Sequence, residues 1–403
     1  MTNSGITKPL GFKAGGIHCG IRKNQTKKDL ALIFSDVSCT CAAVYTSNLV
    51  KGAPLTVTKE HLSDGKARAI IINSGNANTC NADGIEKAKK MCKLTADSLN
   101  INITDVLVAS TGVIGQTLNI EPIENNINKL TENLSYNGSN DAAHAIMTTD
   151  TVFKEAFADF LLNDKKCTIG GISKGSGMIR PDMATMLCFL TTDTAISQKC
   201  LSLALKNASD NTFNMLSIDG DTSTNDMVII MANGIAGNKL ITDENSAEFK
   251  LFTEKLTEVC ISLARMMAKD GEGATKLIEC HVFNAKSPDD AKKCAKSVIC
   301  SNLFKAAMFG KDANWGRILC ALGYSNADIT IDKIDVNISS KAGEINVCKN
   351  GTGVLFDEDK AKIILSEDEV IIKVFLNDGK FNSIALGCDL TYDYVKINGD
   401  YRT

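Results

Sequence analysis

No stretch of these 403 residues approaches the ~20 consecutive apolar residues of a membrane-spanning helix. No long basic run occurs either. The 44 basic and 47 acidic residues leave a net charge of -3, which argues against nucleic acid or an anionic membrane as the main partner. Histidine is scarce, and His18, His61, His144 and His281 have no ligand spacing to a neighbouring cysteine. There is no CxxC, so a zinc site has little support. The 15 cysteines are odd in number and scattered, Cys39 and Cys41 being the closest pair, as expected of small buried thiols in a reducing cytoplasm. Met1 to Lys13 is polar, with glycine and proline, and does not have the form of a signal peptide. A cytoplasmic location, and catalysis without metal or cofactor, are the resulting expectations. No internal repeat, low-complexity tract or linker is visible. What is present is an ordinary globular composition, 44% apolar and 23% charged, long enough for one large core or two moderate ones.

The local patterns predict a mixed α and β class. Residues 31–34 and 42–45 read as short strands, and 69–72 as a stronger one, broken by Asn73-Ser74-Gly75-Asn76-Ala77-Asn78. Ile85, Ala88, Cys92, Ala96 and Leu99 recur at helical spacing, which predicts an amphipathic helix over 84–99. Residues 105–110 predict a strand that ends in Thr111-Gly112, and 141–146 and 196–208 predict helices. Phe249, Phe252, Leu256, Val259, Leu263 and Met266 mark one long helix, stopped at Lys269-Asp270-Gly271. Ser287-Pro288-Asp289-Asp290 has the chemistry of a helix start: a capping hydroxyl, proline in the first turn, carboxylates at the positive end. Residues 370–376 and 382–386, joined by Asn377-Asp378-Gly379, predict a hairpin in a strand-rich C-terminal part.

The stretch that organises the chain is Lys174-Gly175-Ser176-Gly177-Met178-Ile179-Arg180-Pro181-Asp182-Met183-Ala184-Thr185-Met186-Leu187. A glycine-rich loop with one lysine leads to a lone threonine, and the next five residues are an apolar strand. A threonine hydroxyl is a weak nucleophile unless a base adjoins it, and its own α-amine is one such base once the preceding peptide bond is cut. The plainer reading is a solvated loop with threonine at a strand start. The loop lacks the GxxxxGK[ST] spacing of a phosphate-binding loop. Ser217 to Asp226 begins like a calcium loop, but Thr224 and Ile230 stand where an EF-hand needs glycine and glutamate, so calcium is rejected. Thr111-Gly112 after a strand is either a common loop entry or an oxyanion-type donor pair. Ile146-Met147-Thr148-Thr149-Asp150-Thr151 is either a helix-ending loop or a polar pocket wall. Glu272, between two glycines, reads as a turn residue, and Asn398 to Thr403 as a polar tail.

KGSGMIRPDMATML resembles the self-cleavage signature of the glutamate N-acetyltransferases of arginine biosynthesis, the ornithine acetyltransferase family. Asn-Ser-Gly-Asn-Ala-Asn, Met-Thr-Thr-Asp-Thr, Asp-Gly-Asp-Thr-Ser-Thr-Asn-Asp and the run from Phe309 to Ile318, with the only tryptophan, are similar to that family too. The likeness extends from Gly5-Ile6-Thr7 to Tyr401-Arg402-Thr403. It departs at Arg180 and Asp182, where a small or neutral residue and an asparagine are the commoner choice; an acidic group there bears on the rate of cleavage.

The resemblance implies an α+β fold, a layered sandwich of sheets flanked by helices, arranged like N-terminal-nucleophile hydrolases with a distinct topology. It implies self-cleavage between Ala184 and Thr185 into chains 1–184 and 185–403, assembled as a heterotetramer of two of each. Thr185 is then the nucleophile, Thr111 and Gly112 the oxyanion hole, and Thr148, Lys174, Thr185, Glu272, Asn398 and Thr403 the substrate contacts. Lys174 is expected to meet an anionic group of the substrates, and Glu272 the side-chain ammonium of ornithine. The implied reaction moves acetyl from N-acetylornithine to glutamate through an acetyl-enzyme, with acetyl-CoA as an alternative donor. The rival is a self-processing aminopeptidase or amidase that hands the acyl group to water; a phosphate-cradling binding protein is a weaker one.

Overall fold

The computed structural model describes residues 5–179 and 186–399. Arg180, Asp182, Ala184, Thr185 and Thr403 lie outside the described residues. The chain forms two compact units, each built on one mixed sheet. Described residues 5–175, 186–210 and 222–263 belong to the first, and 176–179, 211–221 and 264–399 to the second. The units cut across the expected 1–184 and 185–403 chains, which both supply strands to the first sheet.

The first sheet contains β1 (Phe12–Ile17), β2 (Leu30–Tyr45), β3 (Lys66–Asn76), β4 (Val106–Val113), β5 (Lys154–Leu162), β6 (Lys165–Lys174), β7 (Leu187–Thr192) and β9 (Met227–Ala232), and the second includes β8 (Leu216–Ser217). The order is β4-β3-β2-β9-β7-β6-β5, with β1 also on β2. Only β3 with β4 and β7 with β9 pair in parallel. The apolar run 69–72 follows from burial on both faces. Ala69 and Ile71 pack with helices Gly84–Leu99 and Glu121–Glu132, while Ile70 and Ile72 pack with helix Ser139–Ile146 on the other side. Each fully buried isoleucine contributes roughly 1.5–3 kcal/mol.

The two short strands expected at 31–34 and 42–45 are one bent strand. Its pairing with β3 shifts register between Phe34 and Cys39, so a bulge replaces the expected break. Helix Gly84–Leu99 has the expected bounds, but Met91 and Thr95 take part in its buried face while Ile85 is 41% exposed.

The second sheet has order β13-β12-β11-β14-β10-β15-β8, from β10 (Leu277–Ala285), β11 (Asp335–Ser340), β12 (Gly343–Lys349), β13 (Thr352–Gly353), β14 (Glu369–Phe375) and β15 (Phe381–Cys388). Helices Pro288–Cys300, Asn302–Phe309, Trp315–Gly323 and Glu358–Leu365 share its core. Ser287 caps the first of these, its hydroxyl accepting from Asp290 N at 3.1 Å. Asn314 caps Trp315–Gly323 in the same way, accepting from Arg317 N, which gives the Asn-Trp motif a packing role. The expected hairpin is absent. Strand β10 lies between β14, parallel to it, and β15, antiparallel to it, so Asn377-Asp378-Gly379 joins two strands that do not touch in the ladder. Both sheets carry helices, an α+β layered fold.

Candidate active site

In the first unit, β3 and β4 run in register as far as Gly75 and Gly112, where the ladder breaks. Thr111 and Gly112 are thus inside β4, not after it. Gly112 has φ +133°, and a Cβ there would lie 2.3 Å from the carbonyl carbon of Gly75, so no other residue fits. Beneath this point sits Asn225, from the Asp-Gly-Asp-Thr-Ser-Thr-Asn-Asp motif. Its amide donates to the carbonyls of Ala77 (2.6 Å) and Ser110 (3.0 Å) and accepts from the hydroxyls of Thr79 and Thr224 (both 2.6 Å). A fully satisfied buried amide of this kind fixes the strand end that presents Thr111.

Lys174, the last residue of β6, pairs with Leu187 at the start of β7, and Leu187 pairs with Met227 of β9. That register sets Lys174 at the sheet end where β7 begins, two residues past Thr185. Its ammonium donates to Thr111 Oγ1 at 3.2 Å, and both side chains are buried. Asp150 holds this corner together. One carboxylate oxygen accepts from Lys154 Nζ and from Gly175 N, both at 2.7 Å, and the other from Thr148 N at 2.9 Å. Burial alone would raise the Asp150 pKa, but the ammoniums of Lys154 and Lys174 hold it well below the usual carboxylate range. Burial draws the Lys174 pKa down, with the Asp150 carboxylate opposing it. Asp226 is fully buried with neither oxygen hydrogen-bonded among the described residues, and burial pushes its pKa well above the usual range.

In the second unit, Glu272 lies in the turn after helix Ala247–Lys269, its backbone N–H donating to Ser176 O at 2.7 Å. Its buried carboxylate accepts from Asn398 Nδ2 at 2.8 Å. It lies over Gly177, where a Cβ would sit 2.2 Å from Glu272 Oε2. Asp219 accepts from the N–H groups of Met178 (2.5 Å) and Ile179 (2.8 Å), which ties down the start of the loop toward residue 180. Tyr394, in helix Tyr392–Gly399, stands near Asp219 and Glu272; burial and those carboxylates raise its pKa.

The structure therefore brings Thr111, Gly112 and Lys174 together, with Thr148 tied to them through Asp150, and separately pairs Glu272 with Asn398. Ala184, Thr185 and Thr403 are outside the described residues. Sequence reasoning did not assign roles to Asp150, Lys154, Asp219, Asp226 or Tyr394. The only available signal was the i,i+4 spacing of Asp150 and Lys154. Chemically, a hydroxyl and a backbone amide beside a positive-φ glycine, backed by an ammonium, can take up negative charge on a carbonyl oxygen. A carboxylate with an amide beside it can hold an ammonium.

An α+β layered protein with a donor set of this kind has the chemistry of an acyl-transfer enzyme. The family model described as the ArgJ family matches residues 13–403. An arginine biosynthesis bifunctional protein, ArgJ 1, from Clostridium acetobutylicum is 52% identical over 404 residues, covering 100% of this chain and 98% of the relative. The ArgJ protein of Caldanaerobacter subterraneus subsp. tengcongensis is 52% identical over 399 residues, covering 99% and 98%. The crystal structure of the arginine biosynthesis bifunctional protein argJ from Bacillus halodurans is 44% identical with TM-score 0.50, covering 52% of this chain and 97% of that one. The chain belongs to the ArgJ family.

Proposed function

We propose that this protein transfers acetyl from N-acetylornithine to glutamate in arginine biosynthesis, through an acetyl group carried on Thr185. The observation that carries the reading is the ArgJ match from residue 13 to residue 403, with relatives 52% identical over 98% of their length. In the proposed sequence, Thr185 Oγ first attacks the carbonyl of Ala184. The C–N bond breaks as the nitrogen takes a proton, and water opens the resulting ester, leaving chains 1–184 and 185–403. The freed α-amine, with a reference pKa of ~7.7–8.0, then serves as base for the hydroxyl. Thr185 takes the acetyl group from N-acetylornithine while Thr111 and the Gly112 N–H hold the oxyanion, ornithine leaves, and the α-amine of glutamate takes the acetyl group.

The Glu272–Asn398 pair supports an ammonium site for ornithine. Thr148 and Thr403 are assigned substrate contacts on the family resemblance. The proposed chemistry needs no cofactor, since the hydroxyl carries the acetyl group; acetyl-CoA is a second donor in this reading. A cytoplasmic heterotetramer of two copies of each chain completes it. Incubating the protein with N-acetylornithine, with and without glutamate, tests the reading. Ornithine and N-acetylglutamate should appear together in equal amounts when both substrates are present. Free acetate formed equally well without glutamate would assign the chain to the amidase class instead.

A further inference from the structure

Self-cleavage and acetyl transfer use the same hydroxyl, but they cannot use the same base. The α-amine of Thr185 is born in the cleavage step, so another group has to carry the proton from the threonine oxygen to its nitrogen. Asp226 is free to do this. It is 3% exposed, and neither carboxyl oxygen is hydrogen-bonded among the described residues. A buried polar group without partners costs stability, so one that is kept calls for a role other than holding the fold. The other carboxylate of this corner is already engaged: Asp150 accepts from Lys154 Nζ, Gly175 N and Thr148 N.

Strand register fixes where Asp226 stands. Strands β7 and β9 run parallel with Leu187 opposite Met227, so Asp226 is level with Met186, the residue after Thr185. Both backbones are pinned there: Met227 N donates to Met186 O and Thr46 N to Asp226 O, each at 3.1 Å. The Met186 N–H, the Thr46 hydroxyl just past the end of β2 and the Lys174 ammonium at the end of β6 face the Asp226 carboxyl. None of them closes a hydrogen bond to it. The Thr46 hydroxyl donates to Ser223 O at 2.8 Å instead. The Met186 nitrogen is joined to Thr185 through a single carbonyl carbon, so the unspent carboxyl stands one residue from the nucleophile.

We propose that Asp226 is the proton carrier of self-cleavage: one carboxyl oxygen accepts the proton of Thr185 Oγ while the other donates its own proton to the Thr185 nitrogen. This rests on reading Ala184–Thr185 as a self-cleavage site. The step needs no outside reagent. Oγ–H breaks as Oγ bonds the Ala184 carbonyl carbon, and the C–N bond breaks as N–H forms. The carboxyl ends neutral, its proton on the opposite oxygen. Hydroxyl and nitrogen of one threonine lie close together, a span that two oxygens on one carbon can bridge. The carboxyl must be neutral to do this. Burial, with Lys174 only partly opposing it, keeps Asp226 protonated to a higher pH than an ordinary carboxyl.

Cell-free synthesis of the full chain, sampled into denaturant, follows cleavage by the appearance of chains 1–184 and 185–403. Asp226→Asn should lower the cleavage rate about 10²–10⁴-fold, the usual worth of a placed proton-transfer group. Its melting temperature should be no lower than that of wild type, so the loss is not one of folding. Wild-type cleavage should stay constant or fall between about pH 6 and about pH 9, because the neutral carboxyl is the active form. Acetyl transfer, whose base is the α-amine, should rise over the same range. Cleavage of Asp226→Asn at the wild-type rate, or wild-type cleavage that climbs with pH as transfer does, overturns the proposal. A wild-type chain that never cleaves rejects the self-cleavage reading itself. The pH profile needs no variant, so it decides the matter even if Asp226→Asn does not fold.

Discussion

Replacing Gly177 with alanine separates the loss of a site from the loss of a fold. The new Cβ would meet all three carboxylate atoms of Glu272, Oε2 at 2.2 Å, Cδ at 2.3 Å and Oε1 at 2.5 Å. Gly177 has no left-handed backbone to strain, and the obstacle is the far end of a flexible side chain. Stability should therefore change little, roughly within 1 kcal/mol, because Glu272 can swing aside. Ordinary contact begins near 3.4 Å, so the carboxylate has to move by more than an ångström, which breaks its 2.8 Å bond with Asn398. Misplacement on that scale costs about 10²-fold in kcat/KM when the group positions the substrate. Thermal unfolding of Gly177→Ala should match wild type while kcat/KM for N-acetylornithine falls about a hundredfold. Unchanged kinetics would show that the carboxylate's place over Gly177 has no part in substrate binding. A large drop in melting temperature would show that the loop itself was damaged.

Glu272→Gln should weaken N-acetylornithine binding by roughly 2–5 kcal/mol, the cost of truncating one partner of a desolvated ion pair, and spare the glutamate half-reaction. Burst release of ornithine and acetyl transfer from pre-loaded enzyme measure the two halves, and equal damage to both would refute a role in reading ornithine's side chain. Asp226→Asn should stabilise the fold increasingly as pH rises. Burial raises the Asp226 pKa in the native state, with Lys174 only partly opposing it, so above about pH 4 the unfolded chain ionises while the folded one resists. The wild type thus loses stability as pH climbs toward the raised native value, and asparagine does not titrate. A gap in melting temperature between the two proteins that fails to widen from pH 4 to pH 7 would contradict this.

Where a feature depends on near neighbours in the chain, the sequence revealed it. The doubly buried 69–72 run, the Ser287 cap and the stop of the long helix at Lys269 rest on period, capping and glycine chemistry. Even there the period drifts: Met267, four residues after Leu263, is the buried methionine, and Met266 is half-buried. Features set by distant pairing were hidden. Asn-Asp-Gly favours a tight turn, yet no local signal reports that β10 lies between the strands it joins. The corner around Thr111 draws on β4, β6, the loop after helix Ser139–Ile146 and the start of β9, so Asp150 and Asp226 looked like ordinary loop acids. Motif resemblance drew attention to Thr111, Lys174 and Glu272, but it could not show that Lys174 faces Thr111 or that Gly177 makes room for Glu272.

The central claim is that acetyl rests on a threonine hydroxyl freed by self-cleavage. Intact-mass analysis after incubation with N-acetylornithine alone tests it most directly. The account predicts two chains, one beginning Thr185-Met186-Leu187-Cys188, and one acetyl group on that chain that disappears when glutamate is added. A single uncleaved chain that turns over normally, or an acetyl group residing anywhere but on Thr185, would contradict it.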